Sequence, residues 1–404
     1  MIYPLVPLGN LAKFINGDRG KNYPSRGSFV SQGIPFINAG CLSDQWLLDT
    51  SKFNYITEEA YERLSSGKIQ KNDILFCLRG SIGKFAVIRD SNKGALASSL
   101  VILRVNEKID TEYLKHYLAS SLCQKELDSY QNGVAQPNLS ANDLKKFLIP
   151  LPPLAEQRRI ASILDQADEL RQKRQQAIEK LDQLLQATFI DMFGDPVSNP
   201  KGWEVKKLSE LSTKIHSGNT PKGGSENYVD KGIIFLRSQN VWKNKVILDN
   251  VAYIDAETHA KMMKSSVKHE DLLMTKTGRI NTENSSLGRA AIYLGEDDSA
   301  NINGHVYLIR IKASFNKFFI LKILTLPDYY EYIRSVCVGG IDKRQLNKEH
   351  IENFPIIQPH MELQNKFSDI AQVIESQKPK LLEQLVLAED LFKTLQQKAF
   401  NGTL

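Results

Sequence analysis

The sequence predicts an α+β fold in which two similar globular domains are separated by a pair of long antiparallel helices. Three observations lead to this prediction. The chain has 404 residues, which is enough for two or three domains. Its second half repeats the first at a spacing of about 200 residues. Each repeat ends in a long stretch with helical periodicity, so the two stretches are predicted to form a coiled-coil spacer with a pseudo-two-fold axis.

Four pairs of segments carry the internal repeat. The first copies read "GIPFINAG" at 33–40, "YITEEAYERL" at 55–64, "IQKNDILFCLRG" at 69–80 and "QPNLSANDLKKF" at 136–147. The second copies read "GIIFLRSQ" at 232–239, "YIDAETHAKM" at 253–262, "VKHEDLLMTKTG" at 267–278 and "KRQLNKEHIENF" at 343–354. A proline-containing stop then precedes the helical pattern, as "PLPPLAEQRRIASILD" at 150–165 and "QPHMELQNKFSDIAQV" at 358–373. A repeat of this length indicates a duplicated domain.

Each copy is predicted to begin with a compact mixture of short strands and a few helices. Apolar runs such as "DILFCL" and "SLVILRV" are bounded by Gly, Asn or Asp, which is typical of strands. A segment such as "TEYLKHYLASSLCQKELDSY" has the spacing of an amphipathic helix instead.

The stretch from Ala155 to about Ile190 is predicted to be one long helix, because it contains no Gly or Pro and its apolar residues recur in steps of three and four. Roughly 36 helical residues span roughly 54 Å. Pro153 precedes the helix, where a missing N–H costs little, and Gly194 ends it. Pro379 interrupts the second long pattern and predicts a kink there.

These patterns divide the chain into four segments. We predict a first globular domain at 1–152, a long helix at 153–193, a second globular domain at 194–358 and a second long helix at 359–404. A narrow apolar stripe on one long helix cannot bury itself, so the two helices are predicted to pack on each other, with a globular domain at each end.

The composition is that of an ordinary soluble protein, with 42% apolar and 24% charged residues. No apolar run is long enough to span a membrane, and the first residues do not resemble a signal peptide, so we expect a cytoplasmic protein. The net charge of +6 permits a polyanion as partner. Cys41, Cys77, Cys123 and Cys337 are far apart, which favours reduced, buried thiols over a zinc site or disulfides.

Motifs of common enzymes are missing from the sequence. "GSIGKF" at 80–85 has neither the spacing nor the Ser/Thr of a phosphate-binding loop, and no G-x-S-x-G or H-E-x-x-H pattern occurs. The adjacent acids Asp297 and Asp298 lie in "GEDDSAN", which is typical of a turn. We find no nucleotide, metal or nucleophile signature in the sequence, and therefore name no candidate catalytic or metal-binding residue.

Polar loops that contain glycine supply the candidate binding residues. Arg and Asn or Gln side chains read guanine and adenine by bidentate hydrogen bonds, whereas Lys and glycine-rich backbone suit phosphates. The candidates in the first copy are Arg19, Lys21, Asn22, Arg26, Asn38, Arg79, Ser81, Lys84, Gln136 and Asn138. The candidates in the second copy are His216, Asn219, Lys222, Arg237, Gln239, Asn240, Lys276, Thr277, Arg279, Lys343 and Arg344. For any single loop taken alone, the sequence favours a solvated turn over contact with nucleic acid.

The two copies differ in these loops while their framework positions stay apolar. Asn38 aligns with Arg237, and "LRG" at 78–80 aligns with "KTG" at 276–278. Such a pattern suits two different recognition tasks on one scaffold, although drift of surface loops after duplication would produce it too.

The whole arrangement resembles the specificity (S) subunit of type I restriction–modification systems. The stretches most like that family are "PLPPLAEQRRIASILDQAD" at 150–168, "QKRQQAIEKLDQLLQATFIDMFGDP" at 172–196 and "GVAQPNLS" at 133–140. The second copy departs from the pattern, since "IIQPHMELQNKFSDIA" lacks the E-Q-R-R core and "GGIDKRQLN" replaces the A-Q-P-N-L run.

The resemblance implies that each globular domain is a target-recognition domain that reads one half of a bipartite, asymmetric site in double-stranded DNA. It also implies that the helices set the gap between the halves and dock two methylation (M) subunits, which restriction (R) subunits then join. S-adenosylmethionine, ATP and Mg²⁺ would belong to those partner subunits. Half-sites read on one face of DNA lie about 34–36 Å apart, which the predicted rod can span.

Two alternatives remain at this point. The globular domains could bind proteins instead of DNA, as in a non-catalytic adaptor with a coiled-coil spacer. The chain could also be a nuclease or methyltransferase whose site the motif search does not detect.

Overall fold

The computed structural model describes residues 3–24, 26–131, 139–280, 282, 284–340 and 342–404, with the backbone alone at Arg26 and Gln131. It contains two compact units. The first consists of Met1–Ala177 and Leu381–Leu404, and the second of Ile178–Lys380. Both units mix strands and helices, which confirms the predicted α+β class. The predicted domain boundaries stay a prediction, because the two compact units divide both long helices.

The first unit is built on two small sheets and a strand pair. The four-stranded antiparallel sheet has the order Ala12–Asn16, Leu100–Val105, Ile74–Cys77, Phe85–Val87. The three-stranded sheet has the order Asn54–Ile56, Ile34–Ile37, Ala95–Leu96, and Leu5–Pro7 pairs with Leu148–Pro150. The short α-helices are Glu58–Arg63, Thr111–Leu118, Ser121–Gln131 and Ala141–Leu144. The 3-10 turns are Leu8–Asn10, Arg26–Ser28, Ala39–Cys41 and Thr50–Lys52.

The second unit repeats this plan. Its first sheet has the order Ser212–Ser217, Val306–Ile311, Leu272–Thr275, Ala290–Ile292. Its second sheet has the order Ala252–Ile254, Ile233–Leu236, Ala300–Ile302, Ser266–Val267, and Val205–Lys207 pairs with Pro355–Ile357. The short α-helices are Leu208–Leu211, Ala256–Lys261, Lys317–Thr325, Pro327–Val336 and Lys348–Glu352. The 3-10 turns are Gly224–Asn227, Ser238–Asn240 and Met263–Ser265.

Two further strand groups occur in the second unit. Val241–Trp242 and Lys245–Val246 form a hairpin, and Thr277–Arg279, Lys343–Gln345 and Val338–Gly339 form a three-stranded sheet. The sequence repeat does not predict this sheet, because it joins two segments more than sixty residues apart.

A buried ion pair holds the large sheet together at the same place in both units. In the first, the Asp73 carboxylate accepts two hydrogen bonds of 2.8 Å from Arg104. In the second, the Asp271 carboxylate accepts hydrogen bonds of 2.8 and 2.7 Å from Arg310. Both carboxylates are almost fully buried, at 1% and 2% exposure. Charge-assisted, bidentate bonds offset the cost of burying these carboxylates, and each one links adjacent strands.

A buried glutamine explains why the proline-containing stop occurs twice. Gln157 and Gln364 lie in the first turns of the long helices and are 1% and 3% exposed. Each side-chain amide donates to the carbonyl of the proline five residues before it, at 2.9 Å for Pro152 and 2.8 Å for Pro359. The bond satisfies a carbonyl at the helix entrance and fixes the angle at which the helix leaves the globular part.

The long helices run from Leu154 to Phe193 and from Met361 to Asn401. The second continues through Pro379, and the kink predicted there stays a prediction. Lys378, directly before it, makes salt bridges of 2.6 and 2.7 Å to Asp182 and Glu375.

The helices pair antiparallel within each unit, as predicted. In the first unit, the Arg159 guanidinium donates to the Leu404 carbonyl at 2.9 Å, and Arg171 lies over the Phe392 ring at 5.6 Å. Residue numbers thus rise on one helix as they fall on the other. In the second unit, Phe189 and Phe367 meet at 5.2 Å between ring centres.

The core of each unit includes these helix segments. Ile160 and Leu164 pack with Phe400 in the first unit, and Leu185 packs with Phe367 in the second. Cys41, Cys77, Cys123 and Cys337 are free and buried, as predicted. Among the described residues, no helix is long and apolar enough to cross a membrane.

Candidate nucleic-acid interface

The loop that follows strand Ala12–Asn16 presents the first group of predicted residues. Asp18 fixes it, because its carboxylate accepts hydrogen bonds from the Gly20 N–H at 2.8 Å and the Ser65 N–H at 2.9 Å. Those bonds hold the pKa of Asp18 below its ordinary value, the Gly20 N–H being the main cause. Arg19 and Lys21 are exposed on this loop, as is Asn22.

Two of these side chains already make bonds within the unit. The Arg19 guanidinium donates to the Ser98 carbonyl at 3.2 Å, and the Asn22 amide donates to the Arg63 carbonyl at 2.9 Å. Arg19 keeps further donors for a ligand, because a guanidinium has five N–H groups. Arg26 lies in the turn Arg26–Ser28 and its side chain is outside the described part.

The loop 78–84 carries three predicted residues, Arg79, Ser81 and Lys84, and all are exposed. Gly80 and Gly83 have φ values of 79° and 88°, which other residues rarely adopt, so the tight turn needs them. Lys84 makes a salt bridge of 2.7 Å to Asp44. Lys84 is therefore a weaker phosphate candidate than a lysine without a carboxylate partner.

Gln136 and Asn138 lie outside the described residues. The next residue, Leu139, donates its N–H to the Leu78 carbonyl at 3.1 Å. This bond places Leu139 beside Leu78, at the start of the loop 78–84.

Asn38 and Asn240 have structural roles. The Asn38 side chain accepts from the Gly40 N–H at 2.8 Å and caps the turn Ala39–Cys41. Asn240 is 2% exposed; its side chain accepts from the Arg237 N–H and donates to the Ile247 and Asn250 carbonyls. The prediction that Asn240 reads a base is therefore corrected, because its amide is buried and satisfied.

The three-stranded sheet of the second unit joins two predicted loops into one surface. Arg279 lies opposite Lys343 and Gly278 lies opposite Arg344. Arg279 and Lys343 are exposed, and Arg344 is half-buried with its Nε unpaired among the described residues. Lys276 and Thr277 begin the same segment and are half-buried. The sheet thus presents a cluster of cations on a rigid backbone.

A second group lies on the loops after strands Ser212–Ser217 and Ile233–Leu236. Asn219, Lys222 and Gln239 are exposed. The Arg237 guanidinium donates to the Asn250 carbonyl at 3.1 Å and lies 5.9 Å from the Tyr228 ring centre.

His216 is half-buried at the end of its strand. Burial lowers its pKa, and the charges of Lys214, Lys264 and Lys348 lower it further. The imidazole is therefore neutral at pH 7 and can act as a hydrogen-bond donor or acceptor, but it adds no charge.

The sequence model of the type I restriction modification DNA specificity domain matches the chain twice, at residues 5–180 and 200–385. The chain belongs to this family. A putative type I restriction enzyme specificity subunit of Methanocaldococcus jannaschii is 27% identical over 85% of this chain and 80% of its own length. The StySPI specificity subunit of Salmonella potsdam is 21% identical over 99% of this chain and 88% of its own length.

Solved structures show the same fold. A chain from a study of the assembly of a type I restriction–modification system has a TM-score of 0.55 at 19% identity, over 100% of this chain and 98% of that chain. The S subunit from M. genitalium also has a TM-score of 0.55, at 18% identity over 98% and 96% of the two chains. Fold and family together make this chain a type I specificity subunit with two specificity domains.

The structure shows contacts between cationic and aromatic side chains in this specificity subunit that were not predicted from the sequence. Arg289 is 6% exposed and its guanidinium centre lies 3.9 Å from the Trp242 ring centre, a close cation–π contact. Lys243, beside Trp242, lies over the Tyr330 ring at 4.8 Å. An aromatic residue inside the basic loop "RSQNVWKNK" was the available signal, because aromatic and cationic side chains together are typical of nucleic-acid contacts.

No group of three or more His, Cys, Asp or Glu side chains in the described part of this specificity subunit is arranged to hold a metal ion. What the described loops offer is hydrogen-bond donors and positive charge on two rigid, duplicated frameworks. That chemistry suits binding to a polyanion.

Proposed function

We propose that this chain is the DNA-reading and assembly subunit of a type I restriction–modification complex, and that each globular part reads one half of a bipartite, asymmetric site. The observation that carries this proposal is the double match to the DNA specificity domain. The duplicated framework supports it, since the same ion pair and helix anchor recur under loops of different chemistry.

The long helices are proposed to set the gap between the half-sites and to dock two methylation subunits. Several large apolar side chains on them are exposed, namely Leu170, Leu184, Val373, Leu382, Val386, Leu387 and Leu391. Leu382 and Val386 are four residues apart on one helix, as are Leu387 and Leu391, and exposed apolar side chains that share a helix face favour association with another protein.

Catalysis is proposed to belong entirely to the partners. S-adenosylmethionine would bind to the methylation subunits, while ATP and Mg²⁺ would bind to the restriction subunits. DNA and these partners occur together in the cytoplasm, so that is the proposed location.

The decisive experiment maps methylated adenines in DNA from cells that carry this chain with its cognate methylation subunit. We expect a two-part motif with a fixed gap. Replacing residues 16–27 and 78–84, which belong to one globular part, must change one half of the motif and leave the other half intact. A single undivided motif, or no dependence on these loops, would reject the proposal.

Salt titration distinguishes DNA reading from the adaptor function. Contacts with phosphates release counterions, so the logarithm of DNA affinity falls linearly with the logarithm of salt concentration. An adaptor that binds only proteins would show no such DNA binding.

A further inference from the structure

The first unit contains an open groove of about 700 Å³ beside the edge strand Ala12–Asn16. Its lining includes Lys13, Arg19, Lys68 and Arg104. It opens directly onto the loop 16–27, which the sequence singles out for DNA contact. The groove itself was not predicted, because one lysine on an edge strand looks like an ordinary solvated residue.

The floor of this groove is duplicated in the second unit. Besides its ion pair with aspartate, Arg104 donates to the Lys68 carbonyl at 3.3 Å. Arg310 donates in the same way to the Ser266 carbonyl at 3.5 Å. The carboxylates neutralise both arginines, so the floor is rigid and contributes little free charge.

A lysine lies above the floor at the same register in both units. Lys13 pairs with Arg104 across the edge of one sheet, and Lys214 pairs with Arg310 across the edge of the other. Neither lysine forms a salt bridge or hydrogen bond with a described residue. Burial lowers the pKa of Lys214 and the charge of Arg310 lowers it further, while the charges of Asp271 and Asp298 act in the opposite direction.

A second cation lies near each of these lysines, but at a different position in the two units. Arg19 lines the first groove. In the second unit the residue that aligns with Arg19 is Thr220, and the nearby cation is Lys264, whose charge acts on His216, two residues from Lys214 along the strand. Lys264 makes no salt bridge with a described residue. The lysine at the strand is thus constant, while the chemistry around it differs between the copies.

A lysine with a free ammonium group on a rigid strand suits a phosphate better than a base edge, because it is a point charge without planar hydrogen-bond geometry. We propose that Lys13 and Lys214 each bind one backbone phosphate of duplex DNA and form a duplicated, sequence-independent clamp. This clamp rests on the proposed DNA-reading function. It would hold each globular part in register while the divergent loops read bases.

The test uses the full chain, together with its methylation subunits when these co-purify. Lys13→Gln, Lys214→Gln and the double variant are compared with two exposed lysines outside the grooves, Lys108→Gln and Lys231→Gln. Affinity for a duplex with the target site and for a scrambled duplex is measured over a range of salt concentrations. Arginine replacements at both positions keep the charge and serve as rescue variants.

Each groove variant must lose the same factor in affinity for both duplexes. The slope of log affinity against log salt should fall by about 0.9 per lysine, so the advantage of the wild type should shrink about threefold between about 50 and about 200 mM salt. The methylated motif should stay unchanged. The controls and the arginine variants should resemble the wild type.

Three results would overturn the clamp. An unchanged slope of log affinity against log salt would show that the lysine does not contact a phosphate. A loss of affinity for the target duplex alone would show that the lysine reads a base. Saturable binding of inorganic phosphate that Lys13→Gln abolishes, with DNA affinity unchanged, would assign the groove to a free anion. Failure of the proposed function looks different, since the wild type would then not prefer the target duplex at all.

Discussion

The two globular parts of this chain have the same interior and different surfaces. Strand order, the buried aspartate–arginine pair and the glutamine at the helix entrance all recur. Thr277–Arg279, Lys343–Gln345 and Val338–Gly339 form a sheet in the second unit, whereas the residues of the first unit that align with Lys343–Gln345 lie outside the described part. In the first, the segment equivalent to the 241–246 hairpin makes a single bridge, between Leu42 and Leu48. Buried polar bonds are costly to change, so duplication preserved them while exposed loops diverged.

The largest expected effect comes from breaking the shared ion pair. Asp73→Ala and Asp271→Ala leave Arg104 and Arg310 without their partner, and each should cost about 3 kcal/mol in the stability of its own unit. The measurement is hydrogen exchange of the large sheet in each unit. Glu107→Ala and Asp249→Ala, both exposed, are the controls. If one variant were harmless and its counterpart severe, the two frameworks would not be equivalent.

The helix anchors are expected to be unequal. Gln157 bonds to Pro152 and also accepts from the Asp110 N–H at 2.8 Å and donates to the Lys108 carbonyl at 3.0 Å. Among the described residues, the Gln364 side chain makes only the hydrogen bond to the Pro359 carbonyl. We therefore expect Gln157→Ala to cost about 2–3 kcal/mol and Gln364→Ala about 1 kcal/mol.

Urea unfolding, with exchange protection near each helix entrance, measures this difference. Gln176→Ala, on the exposed side of the first long helix, is the matched control. Equal costs at the two anchors would show that the extra bonds of Gln157 contribute nothing.

The smallest expected effect is the dependence of the first unit's stability on pH, which arises from Asp165. Burial alone would raise the pKa of Asp165, but hydrogen bonds from His116 at 2.8 Å and Lys115 at 2.6 Å lower it to about 2. A depressed pKa means that the stabilisation is present above pH 4 and is lost as pH falls toward 2. Since this carboxylate is 44% exposed, we expect about 1 kcal/mol.

Comparing the wild type with Asp165→Asn at pH 5 and pH 3 isolates this contribution. The difference in unfolding free energy between the wild type and Asp165→Asn should be smaller at pH 3 than at pH 5. A gap that stays constant with pH would contradict the assignment.

Features that depend on the periodicity of the sequence were predicted correctly. Contacts between segments that are distant in the sequence were not predicted. The repeat, the α+β class and both long helices follow from spacing patterns. The sheet that joins Arg279 to Lys343 could not be predicted, because strand pairing across a long loop leaves no local pattern. Asn240 looked like a base reader because its loop is polar, but the fold turns its amide inward. Pro379 lies inside a helix that continues on both sides of it, and the kink expected there remains a prediction.

Four buried thiols give this molecule a built-in reporter of local opening. Cys41, Cys77 and Cys123 belong to the first unit and Cys337 belongs to the second. Burial raises the pKa of Cys337 to about 11, so its thiol is unreactive while the second unit is closed. Alkylation followed by mass spectrometry therefore times the unfolding of each half separately, in the native chain and without an added label.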